Sequence, residues 1–182
     1  MSLERFTRGS ALRTALLLAL GALGGALLFF ALAAGTVLRT SPSRHAGGAV
    51  NVALLDLLDL ATYGVGAVAL LLVLALDRVE PLEKVQKGLA LRLLALLLAA
   101  AFASHEVITP QMEALRDRLP SILDLLPRGD PGRRAWGRLH AFSSGVLAVR
   151  VLACGTLFLL LSRRRRRTIG MGAAPAPVPT AD

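Results

Sequence analysis

Residues 104–118, SHEVITPQMEALRDR, carry the densest set of groups able to do chemistry in an otherwise apolar chain. His105 and Glu106 are adjacent, so an imidazole and a carboxylate leave the same turn and could share a proton or a ligand. A second set lies upstream, with His45 followed by Asp56 and Asp59. On a helix turning 100° per residue, Asp56, Asp59, Tyr63 and Gly66 share one face. A third set is His140, Ser143, Ser144 and Arg150, with Cys154 one turn beyond, all within roughly 120° around a helix. Three histidines with neighbouring carboxylates could hold a metal ion. Their spacing is no ligand signature, because HxxxH, HExxH and CxxC are all absent. Ser143 and Ser144 lie near His140 on a continuous helical pattern without a nucleophile elbow, so no catalytic residue is assigned.

The elements that must position these groups are membrane helices. Hydrophobic residues make up 54% of the 182, charged residues only 18%, and the mean hydropathy is +0.61. That is too apolar for the surface of a soluble domain. The charges sit between long apolar blocks, which predict four spans at about 15–38, 58–76, 89–108 and 139–161, each near the ~20 residues that cross a bilayer. The expected architecture is an all-α, four-helix transmembrane bundle with a short amphipathic segment between the third and fourth helices. Residues 1–14 form a basic leader to the first span. At 24 residues, the uncharged run from Ala15 to Leu38 is much longer than the core of a cleaved signal peptide. Gly21 and Gly25 have the GxxxG spacing of a helix-packing face. Asp56 and Asp59 are expected on an interfacial turn ahead of the second span. Thr109-Pro110 is expected to end the third helix and reset it as an amphipathic extension, in which Glu113 and Arg116 can pair. The Pro- and Gly-rich stretch to Gly132 reads as a loop.

Arg150 sits near the middle of the fourth span. An arginine at that depth needs a partner, and Asp59 is the first choice, Glu106 the second. The chain then meets five consecutive arginines, Arg163, Arg164, Arg165, Arg166 and Arg167, which stop the span and suit anionic lipid. The Pro/Ala-rich remainder of residues 162–182 has nothing to bury and reads as disordered. Eleven Lys and Arg fall on the side of both termini against eight on the other. This bias puts both termini in the cytoplasm of an inner-membrane protein. The net charge of +9 is a topology signal and no nucleic-acid footprint, since no soluble segment is long enough to present one. Four spans would bring His45, Asp56, Asp59, His105, Glu106 and His140 to the same end of the bundle.

Two stretches carry a resemblance. ITPQMEALR at 108–116 and WGRLHAFSS at 136–144 resemble the transmembrane protein 205-like family, a bacterial domain of unknown function. The matching motif positions are Pro110, Met112, Leu115, Arg116, Leu139, His140 and Ser143. LLFFALAAG in the first span is similar too, as is RHAGGAV ahead of the next one. The likeness covers roughly residues 15–161. It departs at Leu147 and Arg150, where relatives often carry Asn about two turns after the histidine. The resemblance implies a four-helix integral membrane protein with no established activity; the residues themselves lead to the expectation of no cofactor. A more distant likeness to copper-resistance-D-like and protoporphyrinogen-oxidase-like proteins implies copper or haem as the alternative, with His105 and His140 as ligands. The leading expectation is a non-enzymatic membrane protein with a polar outer cap, a small permease subunit or partner-binding module. Its partners would be the bilayer and a second copy or another membrane protein. A membrane enzyme using His140 and Glu106 as acid and base is the remaining option.

Overall fold

The computed structural model describes residues 3–118, 127 and 129–163. Helix α1 spans Leu3–Thr40, α2 Arg44–Val79 and α3 Lys84–Phe102; a π-helical segment, Ala103–Ile108, joins α3 to α4, Thr109–Arg118, and α5 spans Pro131–Ser162. Four helices are long and apolar enough to cross a membrane, and the third of these is the continuous run Lys84–Arg118. The described residues contain no strand.

Each helix begins and ends for a local reason. Pro42 lacks an N–H and sits at the break between α1 and α2. There Ser41 donates to the Val37 carbonyl through its backbone (3.0 Å) and hydroxyl (2.6 Å). Ser43 caps α2 by accepting from the Ala46 N–H at 3.1 Å. At the next corner the Asp77 carboxylate accepts from the Leu82 N–H (3.0 Å) and from Lys87 (2.6 Å). Asp130 caps α5 by accepting from the Gly132 and Arg133 N–H groups at 2.7 and 3.1 Å, and Pro131 follows at the first helical position. The GDPG stretch, expected as loop, therefore opens the last helix eight residues before the expected span.

The helices are longer than the spans. Thirty-five residues make ~52 Å of helix, against a hydrocarbon core of ~30 Å. Polar groups mark one rim at Arg13, Asp77, Glu80 and Lys87. About twenty residues from there, the far face of the core falls near Asp56–Asp59 on α2 and His105 on the π-segment. The remaining turns of α2, α4 and α5 project past it.

The bundle is a square. α1 packs on α2 and α5, and α3 packs on the same two, so α2 and α5 face each other across a diagonal. Leu16, Leu20, Leu23, Leu27, Val73, Leu76, Leu94, Leu97, Leu157 and Leu161 fill the interior. Lipid tails are as apolar as leucine, so this packing gains from close contact and not from leaving water. Small residues permit that contact. A Cβ on Gly24 would stand 3.3 Å from the Cys154 sulfur, and one on Gly66 would stand 2.6 Å from Leu98 Cδ2. Gly21 and Gly24 face α5, while Gly25 faces open space, so the GxxxG pair does not act as one face. Outward, Leu18, Phe29, Leu32, Leu57, Leu71, Phe142 and Leu152 are exposed, as lipid contact requires.

Two expectations are corrected. Asp56 and Asp59 lie within an uninterrupted α2, not on a separate interfacial turn. Thr109-Pro110 does not reset the third helix. Proline in a regular helix clashes with the carbonyl four residues back, here Glu106. The widened π-turn, in which the Thr109 N–H bonds to the Ser104 carbonyl, carries the chain past that clash without a break.

Candidate functional site

Among the described residues the buried polar side chains fall into two groups. Arg13 lies at the rim of the chain termini; Asp59, Thr62, Ser104, Thr109 and Arg150 lie toward the other. Between them the interior is apolar.

Arg150 and Asp59 are both 0% exposed. Arg150 reaches across the diagonal from α5, and its Nη1 donates to Asp59 Oδ1 in a salt bridge. Its Nη2 donates to the Thr62 hydroxyl at 2.6 Å and to the Leu58 carbonyl at 3.2 Å. The partner expected for Arg150 is thus the one it meets. Thr62, one turn below Leu58, donates its own proton to the Leu58 carbonyl at 2.7 Å. Its oxygen is left free to accept from the guanidinium.

Above this pair the site opens. His105 Nδ1 stands 3.6 Å from Asp56 Oδ1, and His105 Nε2 stands 3.8 Å from Glu106 Oε1. His105 is 32% exposed, Asp56 38% and Glu106 55%. Exposure therefore falls stepwise from Glu106 to Asp59. Tyr63 meets the His105 ring edge-on, with centroids 6.3 Å apart at 83°. Asp56, Asp59 and Tyr63 come from one face of α2, as the helical spacing predicts, and the π-segment supplies Ser104 and His105. One ligand-capable atom from each of Asp56, Asp59 and His105 lies within 4.8 Å of the other two. Asp56 Oδ1, Asp59 Oδ2, the Tyr63 hydroxyl and His105 Nδ1 are buried atoms without a hydrogen-bond partner. Ser104 lies beside Asp59, yet its hydroxyl does not satisfy Oδ2.

His45 and His140 do not join this group; both are exposed. His45 is fourteen residues from Asp59 along α2, about 21 Å up the axis. His140 is ten residues from Arg150, about 15 Å up and 80° round from it. The extra turns of α2 carry His45 past the site, whereas His140 is turned outward on α5; neither belongs to the group formed by Asp56, Asp59 and His105. Of the remaining motif positions, Pro110 is exposed and Met112 and Ser143 are half-buried. Arg116 stands 3.7 Å from Asp117 instead of pairing with Glu113. Arg164 to Arg167 and the tail lie outside the described residues.

Sequence reasoning missed two contributors. Thr62 looks like any threonine in an apolar run; its position one turn from Asp59 was the available signal. Arg13 reads as a topology charge but is almost wholly buried. It donates to the Leu161 carbonyl at 3.0 Å and meets Glu80 at 3.2 Å.

The fold has the architecture of a four-helix, multi-pass membrane protein, with one interior polar site near one end. No family model, curated protein or solved structure matches the chain.

Proposed function

We propose that this chain is a small, non-enzymatic membrane binding module of the permease-subunit kind, which takes a small polar species from one side only. One observation carries the reading. A wholly buried carboxylate, Asp59, keeps a free oxygen at the floor of a polar site that opens away from the chain termini, above a closed apolar interior. Polar groups this deep are retained in membrane proteins chiefly for function. The leucine-filled core below leaves no polar path to the other rim, so the arrangement suits binding and not a standing channel. The charge bias supports both termini in the cytoplasm, with the site facing outward. The exposed apolar belt suits lipid, a second copy or a membrane partner. The likeness of residues 108–116 and 136–144 to the transmembrane protein 205-like family is part of the same reading.

The test is thiol accessibility in oriented membrane vesicles. Glu106→Cys should react with a membrane-impermeant maleimide added on the side away from the termini and not on the other. The native Cys154, which donates from its sulfur to the Leu20 carbonyl at 3.2 Å inside the core, should stay unmodified from both. Labelling of Glu106→Cys from the terminus side, or of Cys154 in the folded protein, would refute the one-sided site.

A further inference from the structure

Three carboxylates, Asp56, Asp59 and Glu106, gather around one guanidinium, Arg150, and one imidazole, His105. The three carboxylates outnumber the one guanidinium, and Asp59 is wholly buried. At the face of a hydrocarbon core, uncompensated charge is strongly unfavourable. A divalent cation cancels it. The unpartnered atoms point to the same species. Asp59 spends Oδ1 on Arg150 and keeps Oδ2 free; the Tyr63 hydroxyl is likewise buried without a hydrogen-bond partner, and Asp56 Oδ1 and His105 Nδ1 face each other at 3.6 Å without a hydrogen bond. Buried polar atoms are rarely left so, and four in one place mark a missing binding partner.

We propose that Asp56, Asp59 and His105 form a binding site for a divalent first-row transition cation of the zinc class, with Tyr63 beside it. Two carboxylate oxygens and one imidazole nitrogen are a borderline-hard donor set that suits zinc or manganese better than copper(I) or haem iron. Zinc holds oxygen and nitrogen ligands at about 2.0–2.2 Å, which sets neighbouring ligand atoms about 3.3 Å apart in a tetrahedron. The present 3.6 Å between His105 and Asp56 is already close to that. The widest separation, within 4.8 Å, closes by side-chain rotation. Arg150 then acts on Asp59 from behind, fixing the carboxylate as the outer partner of a metal ligand does. Three protein ligands leave a position open toward the exposed rim. The proposal rests on the reading of that rim as open, and it names the species that enters.

The experiment uses the full chain, purified without a polyhistidine tag, in detergent micelles. After incubation with Zn2+ and desalting, the wild type should retain one zinc per chain by elemental analysis. His105→Gln and Asp56→Asn, both at half-exposed positions, should weaken binding by about tenfold or more, while His45→Gln and His140→Gln bind as wild type. Co2+ in place of zinc should give visible absorption bands that His105→Gln loses, with helicity checked by circular dichroism in each variant. A wild type that retains no zinc, or zinc held equally by His105→Gln and Asp56→Asn, overturns the site. So does zinc lost on changing His140. A maleimide-reactive Glu106→Cys in a protein that binds no zinc removes the metal and leaves the one-sided site standing. Zinc bound by a protein whose Glu106→Cys reacts only from the terminus side leaves the ligands standing and removes the one-sided reading.

Discussion

Arg150 joins two helices that otherwise face each other across the diagonal of the bundle. Its long side chain lets a charge deep on α5 meet a carboxylate on α2, with Thr62 and the Leu58 carbonyl completing the guanidinium's partners. Breaking one half of such a pair leaves a buried charge alone. Arg150→Leu should therefore lower stability by about 3–5 kcal/mol, whereas Arg150→Leu combined with Asp59→Leu should recover most of the loss. Thermal unfolding in detergent reads both. A double variant no more stable than the single one would mean that the pair does not act as a unit. Asp59 was legible as the partner because a mid-span arginine demands a carboxylate, and Asp59 stands at the mouth of the second span. Thr62 was not, because its hydroxyl also bonds to its own helix and leaves no mark in the spacing.

At the scale of elements, α2 and α3 are held close by one glycine. A Cβ at Gly66 meets Leu98 Cδ2 at 2.6 Å, and only the far end of the leucine can yield. Gly66→Val should cost about 1–3 kcal/mol by overpacking, and Leu98→Ala in the same chain should relieve part of it. An unchanged unfolding temperature for Gly66→Val would show that the two helices are not in close contact there. The π-segment Ala103–Ile108 is the other decisive element. The sequence marks a break at Pro110, but the chain answers with a wider turn and continues the helix. That choice places Ser104 inward and His105 beside Asp56, whereas a true break would have freed both.

For the whole molecule, Arg13 closes the ring of helices at the rim of the termini. It accounts for a hydrogen bond to the Leu161 carbonyl at the end of α5 and an ion pair with Glu80 after α2, so the first helix is tied to the last. The positive side chain also faces the negative end of the α5 dipole. Arg13→Leu should lower stability by about 2 kcal/mol, the scale of a charge-assisted hydrogen bond. The apolar contacts of α1 should persist. Loss of less than a few tenths of a kcal/mol in thermal unfolding would mean that Arg13 serves topology alone. With this closure at one end and the polar site at the other, the core between them is apolar, which is the basis for reading the site as one-sided.

Apolar run lengths alone fixed the number of helices, their order and the end of the bundle at which the carboxylates stand. Water exclusion makes those properties a matter of counting residues along the chain. Helix phase alone also put Asp56, Asp59 and Tyr63 on one face. Only the tertiary structure decided that His105 joins them while His45 and His140 do not. His45 stands beyond the site because α2 continues past the hydrocarbon core, His140 is turned outward on α5, and a single widened turn places His105 beside Asp56. These outcomes depend on how whole helices are rotated and packed against one another, which leaves no periodic trace.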